Sequence, residues 1–201
     1  MTTPRIAREG SDPATVGTSD VVQQKSLVRA ALLAHRRALG AEEKAEAAES
    51  IGTQLLEWLE THPTALLGVY WPIRGEPDLR HTYELFASRG IALALPVVIA
   101  NDLPLEFRRW QPGDALLKDS FGVPVPAHTA LVMPTTLLIP CVGFNAARIR
   151  MGYGGGFYDR TLAQPQAPES IGVAYVDTLA DFQGEAHDVA LDRILTETGW
   201  Y

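Results

Sequence analysis

The chain has 201 residues, 46% hydrophobic and 20% charged, proportions that suit one ordinary globular core and make a single domain the expectation. A formal net charge of −7 argues against nonspecific binding to nucleic acid or to an anionic membrane, both of which need a broad basic surface. No apolar run approaches the length of a membrane span, the polar opening residues lack the apolar stretch of a secretion signal, and the single cysteine, Cys141, cannot form an internal disulfide; a cytoplasmic protein with a buried structural thiol is expected.

Residues 1–18, rich in Thr, Ser, Gly and Pro, bury too little apolar area to offset ordering and are expected as a flexible tail before a domain over 19–201. From Asp20, a good N-cap residue, the pattern is helical to residue 39, with Val22, Leu27, Ala30, Ala31 and Ala34 in an apolar stripe and Gly40 as the stop. A second helix, rich in Ala and Glu, is predicted over 41–60, with Ile51, Leu55, Leu56, Trp58 and Leu59 towards the core and Pro63 beyond its end. The alternation then changes: a strand over 65–71, a helix over 78–89 capped by Gly90 and a buried strand over 91–95 read as a βαβ unit. A strand over 105–110, a loop-rich stretch to Pro134 and strands over 136–140, 171–176 and 194–198 complete the set. The elements predict an α/β fold, a single three-layer α/β/α domain with a mostly parallel sheet preceded by an N-terminal helical pair. Ligands of such a domain sit beyond the carboxyl ends of its strands.

The most informative stretch is Arg150-Met151-Gly152-Tyr153-Gly154-Gly155-Gly156-Phe157-Tyr158-Asp159-Arg160, which follows a strand and leads into a short helix over 157–163. Glycines let an anion approach the backbone amides, and successive N–H groups at a helix start form a positively polarised nest, so phosphate is the expected guest. The run is neither GxxxxGK[ST] nor a GxGxxG after the first strand of a βαβ unit. A glycine-rich hairpin turn is the bland alternative, but a turn needs neither the adjacent Arg nor the Asp.

Elsewhere the readings divide. The first helix carries Lys25, Arg29, Arg36 and Arg37; Lys25 and Arg29, four apart on one face, either flank an anion or form a solvated basic face. In the turn 70–77, Trp71 offers a flat surface for a planar ligand, and Glu76 either accepts hydrogen bonds from an amino-pyrimidine ring or caps the next helix. Asp159, closing the glycine run, could hold magnesium beside bound phosphate, with Asp188 as a remote partner; alone, either reads as a cap or a surface acid.

Taken together, these residues resemble the 5-formyltetrahydrofolate cyclo-ligase (5,10-methenyltetrahydrofolate synthetase) family over most of residues 25–198. The features that carry the likeness are Pro140, Gly143-Phe144 and the Arg-x-Gly-x-Gly-x-Gly-Phe-Tyr-Asp run from Arg150, with Lys25-x-x-x-Arg29, Tyr70-x-Pro72 followed by Glu76, Phe121-Gly122-Val123-Pro124, and Asp188 before the Leu191–Glu197 ending. The resemblance implies that Lys25, Arg29, Arg150, Gly152, Gly154, Gly155, Gly156 and Tyr158 hold ATP, and that Trp71, Glu76, Tyr153 and Phe157 line a folate pocket. It further implies that Asp159 and Asp188 hold Mg2+, and that Arg150 and Asp159 act in catalysis. The implied reaction phosphorylates the formyl oxygen of 5-formyltetrahydrofolate and closes the ring to 5,10-methenyltetrahydrofolate, with ADP and phosphate released; positioning and charge neutralisation suffice for it. Its implied partners are small molecules, reduced folate and ATP, in a monomer or weak homodimer, with no nucleic acid or membrane. A paralogue with another substrate and a non-catalytic nucleotide-binding regulator are the alternatives. The chain departs from the family pattern at Asn145 (often Asp), Arg148 (often Gly) and Val125 (often Glu).

Overall fold

Helix α1 (Thr18–Ala38) opens the computed structural model, which describes residues 18–201 except Ser120 and His128; all of the expected tail but Thr18 lies outside the described residues. The helix begins before Asp20, so that residue lies in the first turn and is not the cap. Gly40, expected to stop α1, instead starts α2 (Ala41–Thr61): it is extended (φ −64°, ψ 160°), and its N–H donates to Glu43 Oε2 at 2.6 Å. With no side chain to cap the helix, Gly40 relies on the reach-back half of a capping box.

The remaining elements are β1 (Leu67–Gly68), α3 (Arg80–Ser88), β2 (Leu93–Val97), β3 (Glu106–Trp110), β4 (Leu116–Lys118), β5 (Pro124–Pro126), β6 (Leu131–Val132), β7 (Thr136–Pro140), β8 (Gly143–Phe144), β9 (Arg150–Met151), α4 (Phe157–Leu162), β10 (Glu169–Val173), β11 (Arg193–Thr196) and β12 (Gly199–Trp200). One eight-stranded sheet runs in the order β12-β11-β10-β7-β1-β2-β3-β6. It is parallel from β11 to β2 and antiparallel at both margins, which makes the fold α/β with a mostly parallel sheet, as the alternation predicts. The stretch before Pro134, expected to be mostly loop, holds three short strands. Two of them, β4 and β5, form a hairpin whose turn is held by Asp119 Oδ1, which accepts the N–H groups of Phe121 (2.9 Å) and Val123 (2.8 Å). Strands this short, one starting and ending in Pro, carry no readable alternation.

Alternation along the central strands sorts two cores. Leu67, Val69, Leu93, Leu95, Leu138, Ile171, Val173 and Leu195 face Ile51, Leu55 and Trp58 of α2 and Tyr83 and Phe86 of α3. Leu66, Ala94, Leu137, Ile139 and Ile194 face the other way, against Leu162 of α4. Thus α2 is one of the layer helices. Helix α1 lies off the sheet: Leu32 packs with Val142, Met151 and Phe182, beside the chain that leaves the carboxyl end of β7. No described helix is long and apolar enough to cross a membrane.

Gly68 sits at the middle of the sheet, between β2 and β7. A Cβ there would come within 2.3 Å of Leu137 and 3.1 Å of Pro134, so this position excludes a side chain. Gly68→Val is expected to cost about 1–3 kcal/mol by overpacking, read as a lower urea midpoint at unchanged m-value.

Candidate active site

The glycine run is reached through a hairpin. After Pro140 the chain forms β8, turns, and returns as β9, pairing Gly143 with Met151 and Phe144 with Arg150. Asn145 organises the turn: its Oδ1 accepts the N–H groups of Ala147 (3.1 Å) and Ile149 (2.9 Å), and its Nδ2 donates to the Phe182 carbonyl (2.9 Å), a bond that a carboxylate could not give. Arg148 adopts the left-handed conformation (φ 57°) that glycine takes more readily, and its Nε donates to the Leu191 carbonyl at 3.0 Å. Its charge is tied to the turn.

Beyond β9, Gly154 (φ 94°) and Gly156 (φ 65°) take left-handed backbone and lead into α4. A side chain at 155 or 156 would meet Phe157 or Arg160 at 2.7 Å. Helix α1 lies over this run: Arg29 Nε donates to the Gly152 carbonyl at 2.8 Å, and the Arg29 guanidinium carbon lies 3.9 Å from where a Cβ on Gly154 would be. Four residues earlier, Lys25 Nζ reaches Asp188 Oδ2 (2.5 Å) and Glu185 Oε1 (2.9 Å). Burial opposes the Lys25 charge, but the hydrogen bonds and charges of Asp188 and Glu185 outweigh it and hold the ammonium above the usual lysine range. Burial likewise works against the Asp188 charge, and Lys25 with the Glu185 N–H overcomes it, keeping this carboxyl below its ordinary value.

Asp159 stands in the first turn of α4. Its Oδ2 pairs with Arg150 Nη2 at 2.8 Å and its Oδ1 accepts the Val189 N–H at 3.1 Å, which brings the 187–189 segment against the end of the glycine run. Arg150, expected to face a nucleotide, has its side chain only 5% exposed; it is held by Asp159 and the Val189 carbonyl, with its guanidinium 5.8 Å from the Tyr158 ring centre. The Arg150 donors thus point into protein, at Asp159 and the Val189 carbonyl.

Of the residues expected around a planar ligand, Glu76 pairs with Tyr153 and shares a cleft with Trp71, and Phe157 lies outside that cleft. Glu76, 5% exposed, turns inwards and does not cap α3; Ile73 N–H donates to its Oε2 and the Tyr153 hydroxyl to its Oε1, each at 2.9 Å. Burial pushes the Glu76 carboxyl up to about 7, against the pull of those hydrogen bonds and of Arg36. Trp71 is edge-on to Trp110 (6.1 Å), with Arg80 above its ring, in a cleft of about 1150 Å³ that also includes Arg74 and Glu76 but not the glycine run. Phe157 lies edge-on to Phe121 at 6.0 Å. Cys141 is buried, and desolvation pushes its thiol up to about 12, in keeping with a structural role.

No sequence motif singles out Arg36 or Arg74. Arg36 is wholly buried, donating to the Tyr153 hydroxyl (3.2 Å) and the Cys141 carbonyl (3.0 Å) and lying 3.9 Å from Glu76 Oε1. Its spacing of seven from Arg29 was the available clue, since it continues one helix face. Arg74, with φ 49°, lies 5.0 Å from the centre of the Tyr153 ring, and no sequence pattern announces such a contact.

Because Glu76 binds its proton more tightly folded than unfolded, its contribution to stability is full below pH 4.5 and is lost as pH rises to about 7. The loss amounts to at most about 3 kcal/mol, taking about 1.4 kcal/mol per pKa unit. Glu76→Gln, which cannot titrate, should remove this slope from urea midpoints measured across that range; parallel profiles for the two proteins would mean that the carboxyl titrates normally.

The chain as a whole resembles known proteins. Residues 21–197 match the 5-formyltetrahydrofolate cyclo-ligase family. Proteins named 5-formyltetrahydrofolate cyclo-ligase share 31% identity from Mycolicibacterium smegmatis (87% of this chain, 94% of that protein) and 30% from Mycoplasma pneumoniae (86% and 98%). Two solved 5,10-methenyltetrahydrofolate synthetases share the fold at 27% identity. That from Mycoplasma pneumoniae gives a TM-score of 0.72 over 86% of this chain and 98% of its own, and that from Aquifex aeolicus 0.77 over 88% and 91%. With the match spanning nearly all of the described fold, the chain belongs to the 5-formyltetrahydrofolate cyclo-ligase family, a family of enzymes.

Proposed function

We propose that the protein converts 5-formyltetrahydrofolate to 5,10-methenyltetrahydrofolate at the expense of ATP, releasing ADP and phosphate. The observation that carries this reading is the placement of α1, which sets Lys25 and Arg29 against the glycine run and its Asp159–Asp188 margin while Arg36 reaches the Glu76–Tyr153 pair. Two basic residues beside an open glycine loop suit a polyphosphate. In the reaction the formyl oxygen attacks the terminal phosphorus of ATP and ADP leaves. The neighbouring ring-closing amine then adds to the formyl carbon, and loss of phosphate with a proton gives the methenyl bridge. Nothing in this sequence needs a nucleophilic side chain; alignment and neutralisation of charge carry it.

Lys25 and Arg29 would take the phosphate oxygens, the amides and Tyr158 at 152–158 the remainder of the nucleotide, and Trp71, Glu76, Tyr153 and Phe157 the folate. Glu76, buried under residues 73–75, comes within reach of a pterin only as its bond to Tyr153 gives way. The oxygen donors of Asp159 and Asp188 fit a magnesium ion brought by the nucleotide, since Mg2+ commonly takes one or two carboxylates and completes its shell with phosphates and water. They do not fit a resident metal: no cluster of three or more ligating side chains exists among the described residues. Bound there, magnesium would neutralise charge on the phosphates. Arg150 would act behind Asp159 by keeping it aimed at the loop.

The test is the absorbance of the methenyl product when the purified protein meets 5-formyltetrahydrofolate, Mg2+ and ATP, against an ATP-free control. Product should form only with ATP; ATP binding without product would defeat the reading. Lys25→Ala is expected to raise the KM for ATP about 10–100-fold, the worth of one charge-assisted hydrogen bond of about 1.5–3 kcal/mol, with a smaller effect on the KM for folate. Asp159→Asn, which keeps an oxygen acceptor for the Arg150 guanidinium and the Val189 N–H, should abolish turnover while leaving the fold intact by circular dichroism.

A further inference from the structure

Arg36 is unusual among the cations near the site, because its side chain is wholly buried and its acceptors are protein atoms of the folate half. Two of its donors are engaged, one by the Cys141 carbonyl at the end of β7 and one by the Tyr153 hydroxyl; Nε has no partner. The Tyr153 hydroxyl, having accepted from Arg36, has its own hydrogen to give and gives it to Glu76 Oε1. This makes a relay in one direction, guanidinium to hydroxyl to carboxylate. A charge-assisted donor polarises the hydroxyl and favours an ionised acceptor at the far end.

We propose that Arg36 is a positioning residue for folate binding: it draws the Glu76 carboxyl towards its ionised form and aims the Tyr153 hydroxyl, so that the acceptor is biased towards its charge before an amino-pyrimidine ring displaces that hydroxyl. This inference rests on the folate reading given above. The groups around Glu76 support it, since Arg36 of α1 is the closest cation to its carboxylate. Tyr70 before α3, Tyr83 of α3, Tyr153 and Tyr158 of the glycine run, Tyr175 after β10 and Cys141 after β7 are neutral acids that resist a second negative charge. Arg74 on the same turn is exposed and weighs less, and Lys44 of α2 lies at the level of Gly75. Without Arg36, burial among these neighbours would carry the Glu76 carboxyl further above neutrality, and a protonated acid offers a donor where the ring needs an acceptor.

The experiment uses the full chain and three variants, Arg36→Met, Arg36→Lys and Tyr153→Phe. Glu76 is titrated by carboxyl-carbon NMR without ligand, and 5-formyltetrahydrofolate and ATP binding are each measured calorimetrically from pH 6 to 9. Arg36→Met should raise the Glu76 midpoint by about 1–3 pH units, the effect of losing a neighbouring opposite charge, and move the pH profile of folate affinity up by the same amount while leaving ATP affinity within about twofold. Arg36→Lys should restore much of both. Tyr153→Phe, which keeps the charge and is milder towards folding, should weaken folate binding with a smaller rise in the midpoint. An unchanged midpoint in a folded Arg36→Met, or, if that variant is unfolded, in Arg36→Lys and Tyr153→Phe alike, overturns the inference, as does an equal loss of ATP and folate affinity. If the wild-type protein binds no folate, it is the folate reading that fails; the titration of Glu76 still shows whether Arg36 sets its charge.

Discussion

A guanidinium with none of its surface in water fixes where α1 lies, and the rest of the site depends on that placement. Taking an arginine out of water costs several kcal/mol unless its donors are met. Here the Cys141 carbonyl and the Tyr153 hydroxyl meet two of them, and both belong to the chain that runs from the end of β7 through the glycine loop. The helix cannot slide by a turn without stranding that charge. Its register is thereby set, and Arg29 and Lys25, two and three turns earlier, fall on the Gly152 carbonyl and the Asp188–Glu185 pair. Leu32 adds an apolar contact between them, packing so closely on Gly143 that a Cβ there would lie 2.5 Å away.

The sheet makes its own contribution. Strands β7, β1 and β10 are parallel and buried on both faces, and the glycine run begins just beyond the carboxyl end of β7, where an open α/β sheet leaves its crevice. The hairpin β8–β9 carries the run back towards α1. Its turn tolerates Arg148 in a left-handed conformation, which costs roughly 1–2 kcal/mol for a residue with a Cβ. The bonds from Arg148 to the Leu191 carbonyl and from Asn145 to the Phe182 carbonyl offset that cost, so two departures from the family pattern act together as one alternative fastening of the same turn.

Much of this was legible in the sequence, and the exceptions have physical causes. Long periodic segments such as 41–60, and apolar runs such as Thr136–Pro140, are set by burial patterns that any reading of the chain reveals. The glycine run was legible because four glycines beside Arg, Tyr and Asp have little purpose other than admitting a ligand to the backbone. Strand ends were less so: β2 begins two residues later than the apolar run suggests, because pairing with β3, not local hydrophobicity, decides where the ladder starts. The roles of Glu76, Arg150 and Arg36 were beyond reach, since each depends on a partner at least nine residues away and on which way a buried side chain turns. Glu76 fits both of its expected roles by composition; folded, it does not cap α3, and its oxygens are engaged by the Ile73 N–H and the Tyr153 hydroxyl.

These inward-turned side chains bear on how charged ligands would be received. Lys25 is satisfied by Asp188 and Glu185, Arg150 by Asp159, and Glu76 by Tyr153 and the Ile73 N–H. A polyanion arriving at Lys25 would therefore exchange one partner for another and leave Asp188 without its cation. An unpaired, largely buried carboxylate is costly, and a divalent ion travelling with the phosphates is the economical way to keep it paired. The same logic holds at Glu76, where a ring amine would replace the Tyr153 hydroxyl as donor and release that hydroxyl to turn elsewhere. At Lys25, Arg150 and Glu76 the polar groups are thus matched before any ligand binds, so recognition there rewards a ligand that can take over the bonds it breaks. On the proposed reading, phosphates accompanied by magnesium would replace the bonds at Lys25 and Asp188, and an amino-pyrimidine those at Glu76.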